Sequence, residues 1–220
     1  MKIERIEKKC PVCGKEVECN EIMSYSNFSS PNLDLKPIKS MLALGDEVQE
    51  CPYCHYCNFD LSKPIEKRFV NHKDLWDNDE EIQEIIKNEQ GATKKYMLVA
   101  KQFENNMDYE NAYNTYIKAS WVASSEKAKK LREDAIDIYI GYVLPNIRTK
   151  LMQMADIARQ NGYHDVSCAL LEATHNLLNE EDEGYNLEES IIHYEFELND
   201  IQDIKPHNVD EIEINPHHHK

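Results

Sequence analysis

Two short motifs bound what this chain can fold into: CPVCG, at Cys10 to Gly14, and CPYCHY, at Cys51 to Tyr56. A Cys-x-x-Cys turn brings two thiolates onto one ion while backbone N–H groups point at the sulfurs and soften their charge. Zinc takes four tetrahedral ligands, with sulfur at ~2.3 Å. Gly14 follows the first pair, where a tight turn asks for positive φ. Thirty-seven residues separate Cys13 from Cys51, a longer gap than the ~15–20 of the common arrangement.

The second motif holds two overlapping pairs, Cys51 with Cys54 and Cys54 with Cys57. Cys-Pro-x-Cys occurs at both Cys10 and Cys51, which favours Cys10, Cys13, Cys51 and Cys54 as the zinc ligands of a ribbon-like module. Asn58 follows the competing pair and tolerates positive φ, whereas His55 stands where glycine is expected, so neither register is perfect. Cys57 is read as a half-buried strand residue. His55 is the less favoured ligand, because four thiolates already complete a structural site. In KEVECNE, Val17 and Cys19 alternate with glutamates, which places Cys19 on the inner face of a strand. A second metal shared by Cys19 and Cys57 is the weaker reading of those two. His164, Cys168 and His175 share helical spacing without a fourth partner, and the run His217, His218 and His219 is a weak metal signal.

Charge excludes more than it assigns. The 220 residues carry a formal net charge of −16. Residues 1–72 are near neutral, with ten Lys/Arg against eleven Asp/Glu, while residues 177–220 carry two basic and thirteen acidic side chains. A phosphate backbone needs a concentrated basic surface, so no nucleic-acid partner is expected. The longest apolar run, Ile136 to Leu144, is far shorter than the ~20 residues of a membrane span, and MKIERIEKKC lacks the apolar core of a secretory signal. A cytoplasmic protein follows as the expectation, and reduced thiols there favour metal over disulfides.

From Asp79 the period becomes helical. DNDEEIQEIIKNEQG sets acids at its start, Ile82, Ile85 and Ile86 on one face and Gly91 at its end. Stripes follow at Tyr96, Val99, Ala100, Phe103 and Met107, then at Ala112, Tyr116 and Ala119. Another runs through Leu131, Ala135, Ile138 and Tyr142 and stops before Pro145. Further stripes are Ile147, Leu151, Met154 and Ala158, then Ala169, Leu170, Ala173 and Leu177. Leu187, Ile191, Tyr194, Leu198 and Ile201 form a short seam suited to a helix that caps an array. The expected fold is α+β, mostly α: a zinc-ribbon-like module with a long internal loop over 1–72, a helical array over 77–180, and an acidic capping helix with a flexible tail over 181–220.

Tyr96, Val99, Ala100, Phe103, Tyr109, Ala112, Tyr116 and Ala119 occupy the spacing of a tetratricopeptide repeat. MADIARQNGYHDVSCALLEA matches more loosely. With CPVCG and CPYCHY ahead of them, and with Trp121 beyond, residues 8–180 resemble a bacterial domain family of unknown function whose members carry two zinc-type knuckles before tetratricopeptide-like helices. In that family the second knuckle tends to read Cys-Pro-x-Cys-Gly-Tyr, which aligns Tyr56 and supports the Cys51/Cys54 register. His55 departs from it. The resemblance implies a cytoplasmic bacterial protein of this architecture and no established activity.

Three function classes follow. A closed four-cysteine site staples and displays but has no open position for activating water, which fits a protein–protein interaction or scaffold protein taking a protein or peptide on its helices. Tyr113 and Trp121 are the candidate partner contacts. The alternative is a thiol or zinc redox sensor, in which oxidation of the cysteine cluster releases metal. An enzyme is the least supported class: there is no HExxH, no phosphate-cradling glycine loop and no carboxylate pair that stands out.

Overall fold

A computed structural model of the chain describes residues 2–24, 30–37, 41–63, 78–142, 148–182 and 184–213. The chain divides into two compact units, one of residues 1–27 with 39–143 and one of residues 28–38 with 144–220. This partition differs from the expected boundaries near 72 and 180. The cysteine-bearing segment is fastened to the helices that follow it, and part of the expected long loop belongs with the carboxyl-terminal helices instead.

In the first unit, β1 (Lys2–Lys9) pairs antiparallel with β2 (Glu16–Ser24), with Lys9 opposite Glu16 and Ile6 opposite Cys19. The turn between them carries the first knuckle. Helix α1 (Met41–Glu47) leads into the two-residue strands β3 (Gln49–Glu50) and β4 (Cys57–Asn58), which pair around the second knuckle. Four helices follow: α2 (Glu80–Asn88), α3 (Gly91–Asn105), α4 (Tyr109–Val122) and α5 (Ser125–Tyr142). Asp79 caps α2 by accepting hydrogen bonds from the Glu81 and Ile82 amides at 3.0 and 3.1 Å, satisfying N–H groups that have no partner inside the helix. Gly91 adopts φ +60° at the break between α2 and α3.

Ala100, Ala112 and Ala119 are fully buried, so small side chains line the packing of α3 against α4. Tyr96, Leu98, Tyr113, Ile117 and Leu131 fill the space beside them, each fully buried. Two stripe residues of this unit depart from expectation. Met107 is exposed in the α3–α4 turn at φ +58°, and Tyr142 is exposed but stacks on Tyr109 with centroids 3.9 Å apart.

The second unit holds α6 (Arg148–Gln160), α7 (His164–His175) and α8 (Tyr185–Asp200). Met152, Ala155, Leu171 and Ile192 form its apolar core. The segment after α8 folds back on the chain near residue 32. Leu33 N donates to His207 O at 3.0 Å, Val209 N donates to Pro31 O at 3.2 Å, and Asn32 bridges Asn208. Those contacts move residues 30–37 out of the cysteine module.

The capping-helix seam is also rotated from its expected face. Ile192, Glu195, Leu198 and Asn199 are the buried residues of α8, while Leu187 and Ile201 are exposed. Among the described residues no helix is long and apolar enough to cross a membrane.

Candidate metal centre

The two knuckles are built by the same hydrogen bonds. In the first, Gly14 N donates to Cys10 O at 2.9 Å and Cys10 N donates to Lys15 O at 2.9 Å. In the second, His55 N donates to Cys51 O and Cys51 N donates to Tyr56 O, both at 2.8 Å. The residue after each second cysteine is left-handed, with φ +73° at Gly14 and +58° at His55. His55 therefore takes the conformation that glycine adopts in the first knuckle, and the departure in sequence is not a departure in geometry.

Left-handed backbone costs a non-glycine residue roughly 1–2 kcal/mol, and a network around the imidazole holds it. His55 Nδ1 lies 2.8 Å from Glu50 Oε1 and 3.3 Å from Lys94 Nζ, and Lys94 Nζ donates to Glu50 Oε1 at 2.7 Å. The shorter approach assigns the Nδ1 proton to the bond with Glu50. Burial raises the Glu50 pKa, but Lys94 and His55 outweigh it and hold the carboxyl below its usual value. His55 is committed to this network.

The sulfurs of Cys10, Cys13, Cys51 and Cys54 all lie within 4.8 Å of one another. Two approaches cross between knuckles: Cys10 to Cys54 at 3.7 Å and Cys13 to Cys51 at 3.6 Å. A tetrahedron of sulfurs at ~2.3 Å from zinc has edges of about 3.8 Å, so the donor set fits an ion of that size. All seven cysteines are free thiols. Cys10 and Cys51 are buried, Cys54 is half-buried and Cys13 is exposed.

The thiols divide by environment. Burial pushes the Cys10 and Cys54 thiols up from their ordinary value. Burial also acts upward on Cys13, but the Lys15 amide and the neighbouring sulfurs outweigh it, and its pKa falls below the ordinary value. The Val12 and Cys13 amides face Cys10 and the Tyr56 amide faces Cys54, each favouring thiolate. A metal bound here displaces protons, which makes its affinity weaken as pH falls. Lys15 Nζ sits 4.2 Å from the centroid of the Tyr53 ring, tying the two knuckle tips together beside the site.

Around the sulfurs, Val17, Cys19, Tyr56 and Leu61 complete a small core with Cys10 and Cys51. Cys19 lies inward on β2, as the alternation of KEVECNE predicts. Cys57 is fully buried, not half-buried, with its thiol donating to His55 O at 3.4 Å. Its carbonyl is also taken, by Gln102 Nε2 at 2.8 Å. Among the described residues the four knuckle cysteines are the one group of His, Cys, Asp or Glu gathered closely enough to hold an ion.

The remaining candidates are placed elsewhere. His164 Nδ1 lies 2.9 Å from Asn199 Oδ1, and His175 meets the His193 ring edge-on at 6.4 Å. Cys168 is half-buried. His217, His218 and His219 lie outside the described residues.

Tyr113 needs correction as a partner contact: it is fully buried against Tyr139, with ring centroids 5.3 Å apart. Helix α4 is covered by α3 on one side and α5 on another, which closes the face on which an exposed aromatic was expected. Trp121 is half-buried near the end of α4.

A polar cleft of about 450 Å3 opens beside the module, lined in part by Arg5, Glu18, Asp46, Glu50 and Lys95. Its charged groups are engaged: Arg5 with Glu18, Asp46 with Asn20, Glu50 with Lys94, and Lys95 with Gly45 O. Comparison with protein-family models, curated proteins and solved structures yields no match to this chain.

Proposed function

We propose that the protein is a zinc-stapled interaction or scaffold protein. In this reading a structural ion joins the two knuckles, and tetratricopeptide-like helices present a surface to a protein or peptide. The observation that carries the proposal is the convergence of four cysteine sulfurs from two matched turns. Such a set closes the coordination sphere, which suits stapling and leaves no position for an activated water. The buried alanines between α3 and α4 support the resemblance to a divergent repeat, and with it the resemblance to the bacterial two-knuckle family.

Cobalt substitution and native mass spectrometry of the reduced full chain test the metal half. One ion per chain, with the absorption of tetrahedral cobalt and thiolate charge transfer, is the expected result. A folded chain that takes up no ion refutes it. Quantitative cross-linking in cells tests the scaffold half, which fails if no saturable protein partner is captured.

A second reading, a thiol redox sensor, is favoured by the exposure of Cys13 and the downward shift of its thiol. An exposed sulfur of lowered pKa is the first that an oxidant reaches. This reading requires mild peroxide to release the ion with loss of the Cys13 thiol; retention of both refutes it.

A further inference from the structure

The second knuckle is fastened to the helices by links that the first knuckle reaches through it. Lys94 on α3 donates to Glu50 at 2.7 Å and approaches His55 at 3.3 Å. Gln102, about two turns further along the same helix and itself buried, donates to Cys57 O at 2.8 Å. The Tyr96 hydroxyl, with one proton to give, lies 3.0 Å from Leu44 O and 2.7 Å from the Glu47 carboxylate, and Lys118 on α4 pairs with Glu47. Phe59 meets the Tyr96 ring at 6.2 Å and the Lys118 ammonium at 5.1 Å. The first knuckle's hairpin is tied to this same segment: Lys8 pairs with Asp60, Asn20 bonds Asp46, and Gln49 donates to Asn20 O.

We infer that occupancy of the four-cysteine centre sets the order of α3, so that the α3–α4 hairpin is the output of the metal site. The inference rests on the proposed metal reading and adds its regulation. Its physical basis is the shortness of the backbone pairing around the second knuckle. Strands β3 and β4 offer only two residue pairs, and an isolated two-stranded pairing is marginal in water. The turn between them includes a left-handed His55, whose strain is held by the Glu50 and Lys94 contacts together with the gathered sulfurs.

When that turn relaxes, the Glu50 carboxylate and the Cys57 carbonyl leave their places. Lys94 then loses its partners in a region sheltered from water, its side chain being only 11% exposed, and Gln102 Nε2 keeps only its longer bond to Leu98 O at 3.3 Å. A buried donor left unsatisfied costs more than the bond contributed, and both donors lie on α3. Loss of the ion is thereby felt along two turns of one helix and, through Glu47 and Lys118, on α4. A partner surface built on this hairpin is complete only in the loaded protein.

Hydrogen exchange on the full reduced chain, zinc-loaded against chelated, tests this, with native mass spectrometry recording metal in each sample. On chelation, amides of Gly91–Asn105 are expected to exchange at least about tenfold faster, those of Tyr109–Val122 to follow, and those of His164–His175 and Tyr185–Asp200 to stay unchanged. Lys94→Met keeps the apolar stem and removes the link to Glu50 and His55. It is expected to retain one ion per chain while the difference in α3 between loaded and chelated forms shrinks. Equal α3 exchange with and without a bound ion overturns the coupling and leaves the metal reading standing. Equal acceleration of every helix overturns a local device. A loaded preparation that holds no ion overturns both.

Discussion

Arg159, fully buried on α6, faces two buried carboxylates, Asp156 and Glu195, with the part-exposed Asp203 carboxylate further off at 4.0 Å. Its Nε donates to Glu195 Oε2 at 2.8 Å, its Nη2 donates to Asp156 Oδ1, and its Nη1 donates to Asp203 O at 2.7 Å and Lys205 O at 3.0 Å. Asp156 Oδ2 also accepts from Gln160 at 2.7 Å, whereas Glu195 Oε1 has no hydrogen-bond partner among the described residues. Two ionised carboxylates on one guanidinium would leave a buried net charge, which is costly. Burial, and then the Asp156 charge, push the Glu195 pKa from 4.5 to about 9 against the pull of Arg159.

Folding therefore takes up a proton at neutral pH. The Glu195 contribution is fully present below pH 4.5 and is lost as pH rises towards about 9. One proton of difference is about 1.4 kcal/mol per pH unit, so raising pH from 6 to 8 removes roughly 3 kcal/mol. Hydrogen exchange of α6 and α8, corrected for intrinsic rates, is expected to lose about a hundredfold in protection over that interval. Glu195→Gln keeps an acceptor for Arg159 and supplies an N–H in place of the carboxyl proton, so its profile is expected to be flat. A wild-type profile without slope, or an unchanged slope in E195Q, refutes the reasoning.

Replacement of Cys10, Cys13, Cys51 or Cys54 by serine is expected to abolish uptake of one ion per chain, whereas Cys19→Ser and Cys57→Ser retain it; native mass spectrometry checks both sets. His55→Gly and His55→Ala both lose the bond to Glu50, but only glycine relieves the left-handed backbone. H55G is thus expected to be more stable than H55A by about 1 kcal/mol in urea unfolding, and equal stabilities contradict the assigned strain. Tyr113→Ala removes a fully buried ring and is expected to cost about 3–5 kcal/mol in the same measurement; a cost near zero contradicts its burial.

The knuckles were readable because their signal is local. Cys-x-x-Cys spacing fixes which sulfurs converge, and duplication of Cys-Pro-x-Cys picked the register that the hydrogen bonds repeat at Cys51 and Tyr56. Asp79 ahead of two glutamates announced the start of α2 in the same way. What the local pattern did not carry is partnership across long separations. Nothing around Asn32 announces a bridge to Asn208, nor anything around Lys94 a bond to Glu50. Single charged or amide side chains give no periodic signal, so the division into units was hidden while the helices themselves were visible.

Helix α8 isolates the physical reason. Apolar spacing chose the face of Leu187, Ile191, Tyr194, Leu198 and Ile201, yet the buried face includes Glu195 and Asn199. A periodicity rule assigns polar side chains to water because a lone buried polar group is unfavourable. Glu195 and Asn199 escape that rule by being partnered. Glu195 accepts from Arg159 Nε at 2.8 Å while holding its own proton, and Asn199 donates to Ser167 Oγ at 2.9 Å and to Glu195 O at 2.8 Å and meets His164 at 2.9 Å. The partners come from α6 and α7, more than thirty residues away in the chain. The helix is thus turned by its polar residues, and its apolar seam, leaving Leu187 and Ile201 exposed, follows. A chain that buries matched charges in one unit and matched thiols in the other places its most constrained chemistry where hydropathy alone is blind.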